Sequence, residues 1–212
     1  MSVVRRRTER ADAARAGPAD YAGRVIVVCG NPGPAGSGDS LAVEIARRAA
    51  IGDGARRRVQ VIAVMPDDPG GDRRLQQLTE AGVGHVAVLR GPARPLDAAD
   101  IDLALRYLAE MRVVIGVELE QPAAAALADA ATFAGATPIL VTTLGAAPNS
   151  VPEAMAMRDS LPATAIVLAA PARDPDGTFA GFVAALAGRL DAGETPADAW
   201  AATTAALAVD AV

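Results

Sequence analysis

The stretch Ala172-Arg173-Asp174-Pro175-Asp176-Gly177-Thr178-Phe179-Ala180-Gly181 lies between an apolar, partly β-branched run at 164–169 and an Ala-rich apolar run at 178–190. The first run predicts a short buried strand. The second predicts a helix, because apolar residues recur at i, i+3, i+4, i+7 and i+11 from Phe179. A strand, a loop and a helix in this order form the repeating unit of parallel α/β proteins.

Two carboxylates, Asp174 and Asp176, immediately precede this predicted helix. The first N–H groups of a helix have no intrahelical partner and attract anions. A carboxylate at that place competes for the same groups and repels an anion, and Pro175 removes one further donor. An aspartate before a helix is also an ordinary N-cap, and both interpretations stay open.

The same alternation extends outward through the rest of the chain. It predicts an α/β fold of three layers, with a mostly parallel, doubly wound sheet. Residues 23–212 form one domain in this interpretation, and residues 1–22 form a disordered Arg-rich tail. The predicted strands are 24–29, 59–65, 85–89, 113–117, 137–142 and 164–169. The first predicted helix begins at Ser37 or Asp39 and ends near Gly52. The other predicted helices span 72–81, 97–110, 122–135, 178–190 and 196–207.

The composition narrows the chemistry that the chain can perform. It has 212 residues, one cysteine, Cys29, one histidine, His85, and no lysine. Disulfides within the chain, multi-histidine metal sites, Schiff bases and a Walker-A lysine are therefore excluded.

Charge and hydropathy indicate where the protein works. The net charge is −5, and because residues 1–22 carry five arginines and three acids, the remainder carries −7. We therefore expect no nucleic acid partner. With no apolar run long enough for a bilayer and no signal peptide after Arg5–Arg7, we expect no membrane partner and a cytoplasmic location.

Two loops carry candidate binding residues. The loop 30–38 is rich in glycine, which suits an anion or a dinucleotide but equally a plain strand–helix turn. Asp67 and Asp68 form an acidic pair that could bind Mg²⁺ or simply form a turn before Gly70-Gly71.

Several motifs together resemble the ribokinase-like (PfkB) carbohydrate kinase family. Thr178-Phe179-Ala180-Gly181 is similar to the start of the helix behind that family's Gly-Ala-Gly-Asp motif. Gly36-Ser37-Gly38 is similar to the glycine pair that opens its first helix. The segments 64–70 and 119–122 resemble its Val-Gly-x-Asp-x-x-Gly turn and its Leu-Glu-x-Pro segment. The motifs follow the family's order from about residue 23 to residue 212.

The resemblance implies roles for particular residues. The cofactors would be ATP and Mg²⁺, and the substrate a sugar or a nucleoside. The implied residues are Asp176 or Asp174 for catalysis; Gly177, Thr178 and Gly181 for the nucleotide or its phosphates; Asn31, Gly36, Gly38 and Asp39 for the substrate; and Asp67 and Asp68 for the metal.

The chain also departs from the family. The strands that form a lid after the family's first strand are missing here. The further strands and helices with nucleotide contacts that the family has between the positions of Thr143 and Leu161 are missing as well. Gly177 stands at the position of the family's catalytic Asp, and Asp174 and Asp176 stand at its glycine positions.

These departures predict a protein with impaired or lost phosphotransferase activity that keeps a ligand-binding or interaction role. The alternative is an active ATP-dependent sugar or nucleoside kinase with Asp176 as its base. A dinucleotide-binding protein that uses the loop 30–38 is a third possibility. Because the sheet lacks its lid, we also expect a homo-oligomer that covers the exposed edge.

Overall fold

The computed structural model of the protein describes residues 25–31, 40–52, 57–108, 110–143, 158–159 and 161–210. These residues form six strands and six helices. The strands are β1 Val25–Gly30, β2 Arg58–Met65, β3 Gly84–Arg90, β4 Met111–Val117, β5 Thr137–Thr143 and β6 Ile166–Ala170. The helices are α1 Leu41–Ile51, α2 Pro69–Glu80, α3 Ala98–Arg106, α4 Gln121–Phe133, α5 Thr178–Asp191 and α6 Pro196–Asp210. The tail 1–22, Gly36, Gly38, Asp39 and nearly all of 145–160 lie outside the described residues.

All six strands are parallel and stand in the order β3-β2-β1-β4-β5-β6. The order reverses between β1 and β4, which is the doubly wound arrangement that the sequence predicted. Every residue of β1 is buried, as expected for a central strand that is apolar on both faces. Ligands of such sheets bind beyond the carboxyl ends of the strands, at the reversal.

The two faces of the sheet are covered by different helices, which gives the predicted three layers. Ile26 and Val28 point into a core with α1, α2, α5 and α6. Val25, Val27 and Cys29 point the other way, into a core with α3 and α4. This alternation follows from the two-residue period of a strand.

Several predicted boundaries were wrong, for local reasons. Helix α2 begins at Pro69 rather than at 72, because Oδ1 of Asp68 accepts a hydrogen bond from the Gly71 N–H at 2.8 Å and caps the helix. Helix α1 is capped by Ser40 and not by Ser37 or Asp39. Helix α3 ends at Arg106, although the predicted end was residue 110. Strand β4 begins at Met111, although the predicted start was residue 113.

The connection between β1 and α1 is short. Only residues 31–40 separate the two elements. The start of α1 packs closely against the end of β1, since a Cβ atom on Gly30 would lie 2.7 Å from Cβ of Ala42. The small residues at both positions place the start of α1 beside the reversal in strand order.

Candidate functional site

Helix α5 begins at the carboxyl end of the sheet and lies over β1 and β4, packed against α1. The loop 171–177 thus leads from β6 to a helix start beside the reversal in strand order. The start of this helix is the position at which anion binding was predicted from the sequence. The geometry at this helix start determines which N–H groups an incoming ligand would find.

The carboxylate of Asp174 occupies the start of α5. Its Oδ1 accepts a hydrogen bond from the Phe179 N–H at 3.1 Å, and its Oδ2 accepts one from the Ala180 N–H at 2.9 Å. Asp174 is half-buried. Both carboxylate oxygens therefore hold the backbone groups that a phosphate would need.

The other expected anion-binding residues also have defined places. Gly177 is the N-cap of α5 in the left-handed region, at φ 66°, and its N–H donates to the Asp174 carbonyl at 3.2 Å. The Gly181 N–H donates to the Gly177 carbonyl at 2.8 Å and is thus part of the helix ladder. Thr178 is exposed at the first helical position.

Arg48, a cation that was not predicted from the sequence, lies beside this helix start. Its Nη2 donates to the Asp176 carbonyl at 3.4 Å, and its Nε lies 2.6 Å from Oε1 of Glu44, one turn earlier on α1. The four-residue spacing of Glu44 and Arg48 is a signal from which this ion pair could have been predicted. No sequence signal pointed to the contact with the loop before α5.

Asp176, the first candidate for a catalytic base, is exposed on the loop before α5. Its carbonyl is held by Arg48, whereas its carboxylate faces solvent. Asp174 and Asp176 therefore have different surroundings: one carboxylate caps α5, and the other is open to water. Their catalytic roles stay predictions.

Asn31 stands at the carboxyl end of β1. Its Oδ1 accepts a hydrogen bond from the Leu96 N–H at 3.3 Å, which ties the end of β1 to the segment before α3. The substrate role predicted for Asn31 remains a prediction, as do those of Gly36, Gly38 and Asp39 outside the described residues.

The acidic pair after β2 is engaged with other groups. Asp68 caps α2, and Oδ1 of Asp67 lies 2.9 Å from Nη2 of Arg90, which also contacts Asp72 at 2.7 Å. Within the described ranges no group of three or more His, Cys, Asp or Glu side chains could hold a metal ion. A role of Asp67 and Asp68 in binding Mg²⁺ stays a prediction.

Comparison with known proteins identifies the architecture. No family model and no curated protein sequence matches the chain. Among solved structures, the aminoimidazole riboside kinase from Salmonella enterica is similar over 85% of this chain and 89% of its own, with 15% identity and a TM-score of 0.57. A putative ribokinase II from E. coli is similar over 84% and 89% of the two chains, with 12% identity and a TM-score of 0.54. A PfkB protein from Polaromonas sp. JS666 is similar over 84% and 92%, with 14% identity and a TM-score of 0.50.

The chain has the ribokinase-like fold. This confirms the predicted fold class and the resemblance on which it partly rested. The low identities fit a divergent sequence on the ribokinase-like fold. The Salmonella kinase has also been crystallised with aminoimidazole riboside and an ATP analogue, and that complex is similar to this chain with a TM-score of 0.52.

Among the described helices, none has the length and hydropathy that a membrane span requires.

Proposed function

We propose that this protein is a ribokinase-like (PfkB) family member whose phosphotransferase activity is impaired or lost and which acts by binding a ligand or a partner. The observation that carries the proposal is the carboxylate of Asp174 on the N–H groups of Phe179 and Ala180. A phosphate that approached α5 would have to displace a carboxylate from these donors. The negative charge of that carboxylate also opposes the attraction of the helix dipole for an anion.

The position of Gly177 supports the same conclusion. The family resemblance puts the catalytic Asp there, and glycine has no side chain to accept the proton of a substrate hydroxyl. A missing general base commonly lowers the rate by roughly 10²–10⁴-fold. Occupied oxyanion or phosphate donors lower it by a further factor of roughly 10²–10³. The two effects together would lower the rate of a kinase by roughly 10⁴–10⁷-fold.

A ligand-binding role fits the parts of the site that remain. The crevice that this strand order predicts, at the reversal between β1 and β4, lies beyond Asn31 at the end of β1 and beside α5, which packs over both strands. A sugar or a nucleoside is the ligand class that the resemblance implies for that crevice. Binding such a molecule needs hydrogen-bonding groups and no phosphate cradle.

The test measures phosphotransfer and binding separately. The purified chain is incubated with ATP, Mg²⁺ and a panel of sugars and nucleosides while ADP is followed, beside Asp176→Asn and Asp176→Ala. We expect ADP release at the same background rate in all three proteins. Thermal unfolding with each sugar or nucleoside then detects binding, since a ligand at about 100 times its Kd stabilises by roughly 2.7 kcal/mol.

An active ATP-dependent sugar or nucleoside kinase is the second candidate. Two observations favour it: the Asp176 carboxylate is exposed, and Arg48 brings a positive charge to the same loop. In this candidate Asp176 is the base, Asp67 or Asp68 lies near Mg²⁺, and Arg48 contacts a phosphate. Turnover that depends on the panel substrate and disappears in Asp176→Asn would establish this candidate and overturn the first.

A further inference from the structure

A groove lies between α3 and α4, on the opposite face of the sheet from α5. Its volume is about 1070 Å³. Leu105, Leu108, Met111 and Phe133 contribute apolar surface to its walls, together with several alanines of both helices. Phe133, near the end of α4, is 97% exposed. Together with the apolar groove beside it, this exposed ring offers an apolar surface on which a further segment could dock.

One end of this groove coincides with the point where the described chain begins. Glu110 and Met111 line the groove, and both contact Val25, the first described residue. Val25 is paired with Met111 in the sheet, and its N–H donates to the Glu110 carbonyl at 3.3 Å. The point at which residues 1–24 are attached, Val25, therefore lies directly beside the groove.

The charges of the groove and of this segment are opposite. Asp102, Glu110 and Asp129 line the groove together with one cation, Arg106, which leaves a formal charge of −2. Residues 1–24 contain six arginines and three acids, a formal side-chain charge of +3. Opposite charges on a segment and on a groove favour their association and help to fix the register in which they bind.

The segment also carries apolar groups within reach. Tyr21 precedes Val25 by four residues, so its Cα can lie up to roughly 13–14 Å from that of Val25. Val3 and Val4 stand further along the same segment. A short peptide with spaced apolar side chains and arginines matches an apolar groove with acidic walls.

We propose that residues 1–24 of this chain dock in the groove between α3 and α4, where their apolar side chains cover Phe133 and their arginines face Glu110 and Asp129, since Asp102 is already paired with Arg106. The proposal is independent of the proposed function, because no residue of the loop before α5 takes part. It gives a role to the Arg-rich segment 1–24, which takes no part in the function proposed for the start of α5. A second copy of the chain is the competing occupant.

A spin label on the full chain tests this docking. The variant Ala16→Cys is labelled with a nitroxide; Cys29 is fully buried, and burial raises the pKa of its thiol, so it does not compete for the label. We expect the amides of Ala130 and Phe133 to broaden several-fold more than those of Ala185 and Glu80, which lie on helices of the opposite face. Phe133→Glu in the labelled chain should reduce the broadening of Ala130 to the level of Ala185. Tyr107→Glu, which replaces another largely exposed aromatic residue outside the groove lining, should leave it unchanged.

Two results would overturn the proposal. Broadening that is equal on both faces would show that residues 1–24 do not prefer the groove. In a mixture of isotope-labelled chains without the nitroxide and unlabelled chains with it, broadening of Ala130 would show that a second copy supplies the segment. Absence of broadening in that mixture, with broadening in the singly labelled chain, supports docking within one chain.

Discussion

The guanidinium of Arg48 lies against Gly177, so closely that a Cβ atom on Gly177 would stand 2.1 Å from Nη2. Arg48 belongs to α1 and Gly177 is the N-cap of α5, so the contact joins the two helices that frame the candidate site. The resemblance to ribokinase-like kinases implies a catalytic carboxylate at the position of Gly177. In this protein an arginine occupies the space into which that side chain would project.

A side chain at Gly177 should destabilise the fold for two separable reasons. Gly177→Ala is expected to cost about 1–2 kcal/mol from its left-handed backbone, plus the displacement of Arg48, whose side chain can turn toward solvent. Urea unfolding of Gly177→Ala, Arg48→Ala and the double variant measures both parts. We expect the cost of Gly177→Ala to be smaller in the Arg48→Ala background. Equal costs in the two backgrounds would show that Arg48 does not constrain Gly177.

Removing the Asp174 carboxylate should weaken α5 and open an anion site at the same time. Asp174→Ala is expected to cost about 0.5–2 kcal/mol, because the N–H groups of Phe179 and Ala180 lose their acceptor. Sulfate should then stabilise this variant in a saturable way, while leaving the parent protein with only a general salt effect. Asp176→Ala is the matched control, since it removes an equal charge from the same loop and keeps the cap. Saturable stabilisation of the control or of the parent by sulfate would contradict the prediction.

The capping box of α3 should make stability depend on acid pH. Arg94 bonds both carboxylate oxygens of Asp100, with Nη2 to Oδ1 at 2.8 Å, and the Asp97 N–H donates to the same group at 3.1 Å. The Arg94 guanidinium holds the pKa of Asp100 below its usual range, with help from the Asp97 N–H and against the effect of burial. Because the folded pKa is lowered, this stability is present above the unfolded pKa of about 3.9 and is lost as the pH falls through the folded pKa.

Asp100→Asn measures this contribution. We expect the parent protein to exceed the variant by about 0.5–2 kcal/mol at neutral pH in urea unfolding, and the difference to shrink below about pH 4. Asp102→Asn on the same helix is the control, because its pair with Arg106 is exposed and contributes little. A difference between parent and Asp100→Asn that stayed constant down to about pH 2 would rule out a role for the charge.

The close approach of α1 to β1 predicts a strict size limit at Gly30. A Cβ atom there would lie 2.7 Å from Cβ of Ala42 and 3.1 Å from the Val117 carbonyl oxygen, and neither atom can rotate away. Gly30→Ala should therefore cost about 1–3 kcal/mol. Gly91→Ala is the control, since a Cβ atom there meets nothing within 4 Å, and it should change stability by less than about 0.5 kcal/mol. Thermal unfolding of both variants decides the matter, and equal melting temperatures would contradict the packing argument.

Features that depend on neighbouring residues were predicted well from the sequence. The start of α6 is one, since the helix begins at Pro196 as predicted. There the Thr195 hydroxyl accepts a hydrogen bond from the Asp198 N–H at 3.2 Å and donates to Oδ2 of Asp198 at 2.7 Å. The apolar spacing of α5 is another, since Val183, Leu186 and Leu190 are buried as predicted. Caps and periodicity act within a few residues, so the local sequence contains the information.

Features that depend on distant residues were not predictable. Arg48 reaches the loop before α5 across more than a hundred residues of chain, and only the packing of α1 on α5 brings the two together. The start of α2 was missed for a different reason. Asp68 is the N-cap and Pro69 the first residue of the helix, but the two glycines that follow, Gly70 and Gly71, favoured the prediction of a turn.

The sheet order has a consequence for the newly made chain. Of the described strands β1 is synthesised first, yet it is completed late, because Ile26 pairs with Val59 on one side and with Val113 on the other. While the ribosome adds residues 66–110, the edge of β1 that β4 will cover stays open, and open edges invite pairing with other chains. We therefore expect the growing polypeptide to depend on chaperones during that interval, and folding to speed up once β4 has left the exit tunnel.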